Sequence, residues 1–236
     1  MPCISVVIPC LDEAAICVER LKALQPMRRE GHELILVDGG SGDGTVDLSQ
    51  PLVDLLLPSE PGRALQMNLG AGAAAGEVLW FLHLDTVLPE GASAQVLREA
   101  IDGPGWGRFD VRLSGSRPIF RVIESMMNLR SCLTGMVTGD QGMFVHRDRF
   151  ERVGGFPEIA LMEDLAISGY LKRIARPACV HSRIVTSSRR WERDGVWRTI
   201  GLMWFLRCAY RMGADPDWLA RLYYPGAGGH RLSVTE

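Results

Sequence analysis

Val78-Leu79-Trp80-Phe81-Leu82-His83-Leu84-Asp85 sets the architecture: seven mostly apolar residues end in a carboxylate. Short continuous apolar runs suit strands buried on both faces of a parallel sheet. The pattern occurs twice more upstream. Ile4-Ser5-Val6-Val7-Ile8-Pro9 runs into Asp12 and Glu13, and Glu33-Leu34-Ile35-Leu36-Val37 runs into Asp38. Ligands of open α/β sheets bind outside the carboxyl ends of the strands. Three such strands bring their acids to one electronegative crevice. That crevice suits a divalent cation and sugar hydroxyls, because hard cations prefer oxygen ligands.

Working outward, helices alternate with these strands. Residues 13–24 carry apolar groups at helical spacing, and residues 63–75 combine five alanines with Leu65, Met67 and Leu69. Val53–Leu57 reads as a short strand stopped by Pro58, Val78–Leu84 as the central strand, and Ala92–Ile101 as a helix. Strand–helix alternation with short connections predicts right-handed crossovers and a mostly parallel sheet. The second half is less regular. Phe109–Leu113 alternates and is expected at a sheet edge, residues 118–134 as a helix, and Gly142–His146 as a short strand. Leu165–Ile174 is expected as an amphipathic helix directly after Glu163-Asp164, Ile184–Thr186 as a late strand, and residues 196–212 as a strongly apolar helix. There is no internal repeat and no low-complexity linker.

Bulk composition narrows the function classes. The chain has 236 residues, 47% hydrophobic and 23% charged, which is ordinary for a soluble globular protein. A net charge of -2 implies no broad polyanion-binding surface, so no nucleic-acid partner is expected. No apolar run approaches the ~20 residues that span a bilayer, and no basic segment followed by an apolar stretch marks a secretion signal. The six cysteines, Cys3, Cys10, Cys17, Cys132, Cys179 and Cys208, contain no C-x-x-C pair, which argues against structural zinc. Their wide spacing is read as buried thiols in a reducing cytoplasm.

Several residues are candidates for chemistry, each with a plainer reading beside it. Gly39-Gly40-Ser41-Gly42-Asp43-Gly44-Thr45 is either a turn built on Asp43-Gly44 or a loop that, with Asp38, holds a ribose or base edge. On an extended strand His83 and Asp85 point to one face, where both suit a metal; the alternative for His83 is a packed ring at a strand end. Asp85 is expensive to bury unless paired or solvated. Glu163-Asp164 either complement the dipole of a helix start or place a general base beside a cleft. In Ser187-Ser188-Arg189-Arg190-Trp191, the guanidinium forks suit phosphate oxygens and Trp191 suits a sugar or base; the plain reading is a solvated basic turn.

Taken together, these motifs resemble the family-2 glycosyltransferases of GT-A fold. Val6-Val7-Ile8-Pro9-Cys10-Leu11-Asp12-Glu13 is similar to their opening strand. Val37-Asp38-Gly39-Gly40-Ser41-Gly42-Asp43-Gly44-Thr45 resembles their second nucleotide-binding loop, and Phe81-Leu82-His83-Leu84-Asp85-Thr86 sits where they carry D-x-D. Gly139-Asp140-Gln141-Gly142, Gly154-Gly155-Phe156 and Glu163-Asp164 resemble the acceptor side and the base. The match covers about residues 3 to 175 in order. His83 replaces the first Asp of the metal motif. A subgroup resembling this chain reads F-L-H-x-D-T there and also carries Arg-Arg-Trp: the radical-SAM/selenodomain-associated transferase 2 subgroup, linked to arsenosugar biosynthesis.

The resemblance implies an α/β fold of GT-A type, with a Rossmann-like, mostly parallel central sheet flanked by helices and a C-terminal helical elaboration. It implies a glycosyltransferase domain over 1–190, divided into a nucleotide-binding half (1–115) and an acceptor half (116–190), with an extension over 191–236. The implied activity is inverting transfer of a sugar, of hexosyl type, from a nucleoside-diphosphate sugar to a hydroxyl. Asp164 would be the base, with Glu163 its rival. Mn²⁺ or Mg²⁺ would sit at Asp85 and His83. Donor contacts would come from Pro9, Glu13, Asp38, Gly40, Arg63, Asn68, His83, Asp85, Arg189, Arg190 and Trp191, and acceptor contacts from Asp140, Gln141 and Gly155. Two other readings stay open: a sugar-phosphate nucleotidyltransferase and a non-catalytic nucleotide-sugar-binding module. The former should carry a Gly-rich basic loop after the first strand, where this chain has Cys10-Leu11-Asp12-Glu13. The apolar helix over 196–212 is expected to be buried internally, to pair with a second copy, or to lie at the inner membrane face.

Overall fold

A computed structural model describes residues 3–224. Seven strands form one sheet: β1 (Ile4–Cys10), β2 (Glu33–Asp38), β3 (Leu55–Pro58), β4 (Val78–Phe81), β5 (Trp106–Leu113), β6 (Phe144–His146) and β7 (Ala178–Thr186). Their order is β3-β2-β1-β4-β6-β5-β7. β1 pairs in parallel with both β2 and β4, and β2 with β3. β6 is antiparallel to β4 and β5, and β5 and β7 are parallel. The α/β class with a mostly parallel sheet is therefore as expected.

The helices are α1 (Ala14–Ala23), α2 (Gln25–Arg29), α3 (Thr45–Ser49), α4 (Arg63–Ala73), α5 (Ala92–Leu97), α6 (Pro118–Thr134), α7 (Arg147–Arg152), α8 (Glu163–Leu171), α9 (Arg189–Asp194), α10 (Val196–Arg211) and α11 (Pro216–Tyr223). Successive strand side chains point to opposite faces, so each strand feeds two cores. Ile4, Val6 and Ile8 of β1 join Ile16, Cys17 and Leu21 of α1 and Val96 of α5. Val7, Ile35 and Val37 join Ala64, Met67 and Ala71 of α4, Phe150 of α7, and Ile167 and Leu171 of α8. Gly70 lets α4 lie directly on the sheet: a Cβ there would come 2.4 Å from Val7 Cγ1.

Contacts divide the chain into two units. The first is Met1–Glu158 with Glu163–Ser188, and the second is Ile159–Met162 with Arg189–Glu236. The first holds the sheet and both cores. The second holds α9, α10 and α11, packed on one another.

Four expectations need correction. Phe109–Leu113 is not an edge, because β5 lies between β6 and β7. Only the last residues of β7 read as strand in sequence, since Cys179, His181, Ser182 and Arg183 interrupt its apolar pattern. The central strand stops at Phe81 rather than Leu84, because His83–Thr86 close a turn through Thr86 N–H to the His83 carbonyl, 3.1 Å. The cysteines are not all thiols: Cys132 on α6 and Cys179 on β7 form a disulfide, and Cys208 is exposed. They lie 47 residues apart, a separation that hides the pairing from a reading of local motifs.

Candidate active site

Because β1, β2 and β4 run parallel, their carboxyl ends share one edge, and Asp12, Glu13, Asp38 and Asp85 follow those ends. Cys10 pairs in register with Asp38. The loops that leave these two strands are knitted together. Asp12 adopts φ +53° and donates its N–H to Ser41 Oγ at 2.9 Å, while its Oδ1 accepts from Gly42 N at 2.9 Å. Glu13 N–H donates to Thr45 Oγ1, and Ala14 N–H to Asp43 Oδ2, both at 2.9 Å. Asp43 is held below the usual carboxylate range, first by the Thr45 hydroxyl and then by the Ala14 N–H. The first-strand and second-strand loops thus form one rigid floor.

Asp38 is buried and spends its carboxylate on this floor. Its Oδ2 accepts from Gly40 N at 3.0 Å and Ser41 N at 2.9 Å, and Ser41 Oγ donates to Oδ1. Gly40 has φ +93°, a left-handed conformation in which a side chain would be strained. Cys10 Sγ contacts the same carboxylate, and burial with that negative charge drives the Cys10 thiol well above its ordinary value. Pro9 is half-buried on β1 opposite Val37. Gln66 of α4 is not among the expected site residues. It is buried, and its amide donates to the carbonyls of Cys10 at 2.9 Å and Val37 at 2.8 Å, tying α4 to both strand ends.

His83 and Asp85 lie in the turn after β4, not on an extended strand, so strand alternation does not set their relative direction. The His83 imidazole is depressed to about 4, by burial first and then by the Arg63 guanidinium, with Asp140 opposing. It is therefore neutral near pH 7. Arg63 opens α4, and its charge is also felt by Glu163. Glu163 is 7% exposed, and its carboxyl is raised to about 7 by burial and by Asp164. Asp164 is half-exposed. Its Oδ2 accepts from Gly139 N at 2.9 Å and its Oδ1 from Leu165 N at 2.7 Å. Gly139 in turn faces His83: a Cβ there would lie 2.8 Å from Nε2. One glycine therefore brings the His83–Thr86 turn and the start of α8 to a single locus. Arg63, His83, Asp140, Glu163 and Asp164 gather around it.

Other expected site residues make contacts that order the surrounding loops. Asn68 donates Nδ2 to the Phe156 carbonyl at 2.8 Å and accepts the Phe156 N–H at 2.9 Å, so its amide orders the loop after Gly154-Gly155. Gly155 has φ +75°, and a Cβ there would come 2.9 Å from Asn68 Oδ1. Gln141 is fully buried and bonds Ser131 Oγ and the Thr138 N–H, which braces the 3-10 turn Gly139–Gln141. Arg189, Arg190 and Trp191 begin α9 in the second unit. There Arg190 stacks 3.6 Å over the Tyr223 ring and donates to the Tyr223 carbonyl at 3.0 Å.

Comparison with known proteins fits this architecture. The model of Glycosyl transferase family 2 matches residues 5–151. Two uncharacterized glycosyltransferases of Mycobacterium tuberculosis, from strains CDC 1551 / Oshkosh and H37Rv, are each 31% identical over 167 residues. That stretch covers 66% of this chain and 63% of each relative, so this chain matches less than two thirds of their length. Among solved structures, a mannosyltransferase of Pyrobaculum calidifontis, in complex with GDP-Man and Mn²⁺, superposes with TM-score 0.66 at 22% identity, over 94% of this chain and 70% of its own. Glucosyl-3-phosphoglycerate synthase of M. tuberculosis, in complex with Mg²⁺ and UDP, gives TM-score 0.57 at 19% identity, over 78% and 70%. These likenesses carry the fold.

Proposed function

This chain belongs to glycosyl transferase family 2, and on that premise we propose that it moves a sugar, with inversion, from a nucleoside-diphosphate donor to an acceptor hydroxyl. The observation that carries the reading is the Gly139 junction, which sets Asp164 beside the His83–Asp85 turn. Asp164 is the proposed base. It is half-exposed and fixed by two backbone N–H groups, so it is reachable by an acceptor and pre-oriented. Glu163 is buried and holds its proton up to about pH 7. Its place is behind Asp164, limiting the negative charge at the locus. Asp140 borders the same locus from the acceptor side.

The donor reading rests on the knitted floor. Glu13, Asp38 and Gly40 order the loops that would receive base and ribose, with Pro9 beneath them. Arg63, which bears on both His83 and Glu163, suits the donor diphosphate. Among the described residues no cluster of three or more His, Cys, Asp or Glu side chains would hold a metal alone. A neutral imidazole and one carboxylate still fit a Mn²⁺ or Mg²⁺ ion that takes its remaining ligands from phosphate oxygens and water. Such an ion would offset the charge of the departing diphosphate. His83 within F-L-H-L-D-T and the Arg189-Arg190-Trp191 segment support placing the chain in the radical-SAM/selenodomain-associated transferase 2 subgroup. Arg189, Arg190 and Trp191 remain proposed donor contacts, and a cytoplasmic location is proposed with them.

A panel of nucleoside-diphosphate sugars, assayed for sugar release with and without Mn²⁺, tests the proposal. Asp164→Asn should lose transfer by about 100-fold or more while donor affinity stays nearly unchanged. If Glu163→Gln alone has that effect, the base is misassigned by one residue. Donor binding without turnover across the panel would favour a non-catalytic binding module.

A further inference from the structure

The outer face of α10 is apolar where a solvated helix should be polar. Its exposed positions include Trp197 (77% exposed), Trp204 (61%), Phe205 (50%) and Met212 (82%). Gly201 and Cys208 are exposed between them. The spacing 197, 201, 204/205, 208, 212 is one stripe at about 100° per residue. Val196, Thr199, Leu206 and Ala209 take the buried side. α11 widens the stripe, since the Trp218 ring lies 6.1 Å from Phe205 and both Trp218 and Leu222 are exposed.

Arginines border this face. The same wheel puts Arg198 at one edge of the stripe and Arg207 and Arg211 at the other. Residues 189–224 hold seven arginines against four acids, a net of +3, whereas residues 1–188 hold 18 basic and 23 acidic residues, a net of -5. A cleft of about 880 Å³ opens among α9, α10 and α11, with Arg193 and Arg198 beside Trp197, Phe205 and Leu222. Cationic groups beside aromatic and aliphatic ones suit a ligand with an anionic head and apolar chains.

We propose that α10 and α11 dock in the interface of an anionic phospholipid bilayer. Tryptophans seat at the headgroup level, and flanking arginines meet the lipid phosphates. No helix among the described residues is long and apolar enough to cross a membrane, so α10 lies along the surface. The charge distribution disfavours a second copy as occupant. A two-fold pairing through this stripe would set the arginine rows against their own copies. The proposal does not depend on the glycosyl-transfer reading.

Sedimentation of the full chain with phosphatidylcholine vesicles, with and without phosphatidylglycerol, is the test. The protein should pellet with the phosphatidylglycerol vesicles and stay in solution with phosphatidylcholine alone. A Trp197→Ser/Trp204→Ser variant should lose at least several-fold of the bound fraction. An Arg207→Gln/Arg211→Gln variant should lose the anionic-lipid preference, as should raised salt. All four residues are partly or fully exposed, and thermal unfolding matched to the parent would verify that the variants fold. Wild-type protein that ignores phosphatidylglycerol vesicles, or a tryptophan variant that binds them equally well, would overturn the proposal. So would a dimer in light scattering that the tryptophan substitutions dissociate.

Discussion

Gly139 has no side chain, yet it connects the two chemical centres. Its N–H holds Asp164, and its α-carbon leaves room for the His83 ring. Gly139→Ala places a methyl group 2.8 Å from His83 Nε2, closer than real Cβ contacts come. The imidazole is the movable partner, so it should turn away. The expected result is weaker metal-dependent binding of a nucleoside diphosphate, by about 10-fold, with stability changed by less than about 1 kcal/mol. Titration calorimetry with and without Mn²⁺, beside a thermal melt, checks both halves. Unchanged metal-dependent affinity would mean that His83 does not face the donor. The pair Glu163-Asp164 makes a second point at this scale. The resemblance ranks Asp164 above Glu163 as the base, but two adjacent acids in a sequence carry no physical difference to support that order. Burial separates them, leaving Asp164 half-exposed and Glu163 closed off beside it.

Asn68 shows what an element asks of a polar residue. It fastens the middle of α4 to the loop that precedes α8 through a two-way bond with Phe156. Asn68→Ala leaves the Phe156 N–H and carbonyl without these partners, which should cost roughly 1–3 kcal/mol. Denaturant unfolding measures that loss, and a wild-type midpoint would show that the loop needs no such tie. Elements with strong periodicity were readable in advance. α6 occupies residues 118–134 as expected, and β1 and β2 follow their apolar runs, because a doubly buried strand must be continuously apolar. β4 was overextended because Leu82 and Leu84 remain buried after the strand has ended in a turn. Apolarity reports burial and not extension. The knitted floor was half legible. Glycine and aspartate marked the loop, but the bonds of Asp12 and Asp43 across to the neighbouring loop depend on β1 and β2 being adjacent. The gathering of Arg63, His83 and Asp140 needed the fold, since these residues come from separate elements.

At the scale of the whole molecule, the buried carboxyl of Glu163 links folding to pH. Its ordinary value is 4.5, and burial with the neighbouring Asp164 raises it to about 7 in the folded chain. Between these values the folded state holds a proton that the unfolded state has released. Stability follows the difference in bound protons, so over this window it falls as pH rises. The contribution of Glu163 is fully present below about pH 4.5 and is lost as pH passes through about 7. Glu163→Gln keeps the shape of the side chain and removes its titration. The variant should match or exceed wild type above pH 7, and its advantage should shrink steadily toward pH 5. Urea unfolding at half-unit intervals from pH 5 to 8 reads the difference directly. Other titrating groups act on both proteins alike, so the wild-type-minus-variant curve isolates this one carboxyl. A flat difference curve would show that Glu163 is already ionised in the folded protein. The negative charge of Asp164 would then have an ionised neighbour, and the argument that Glu163 limits charge behind the base would fail with it.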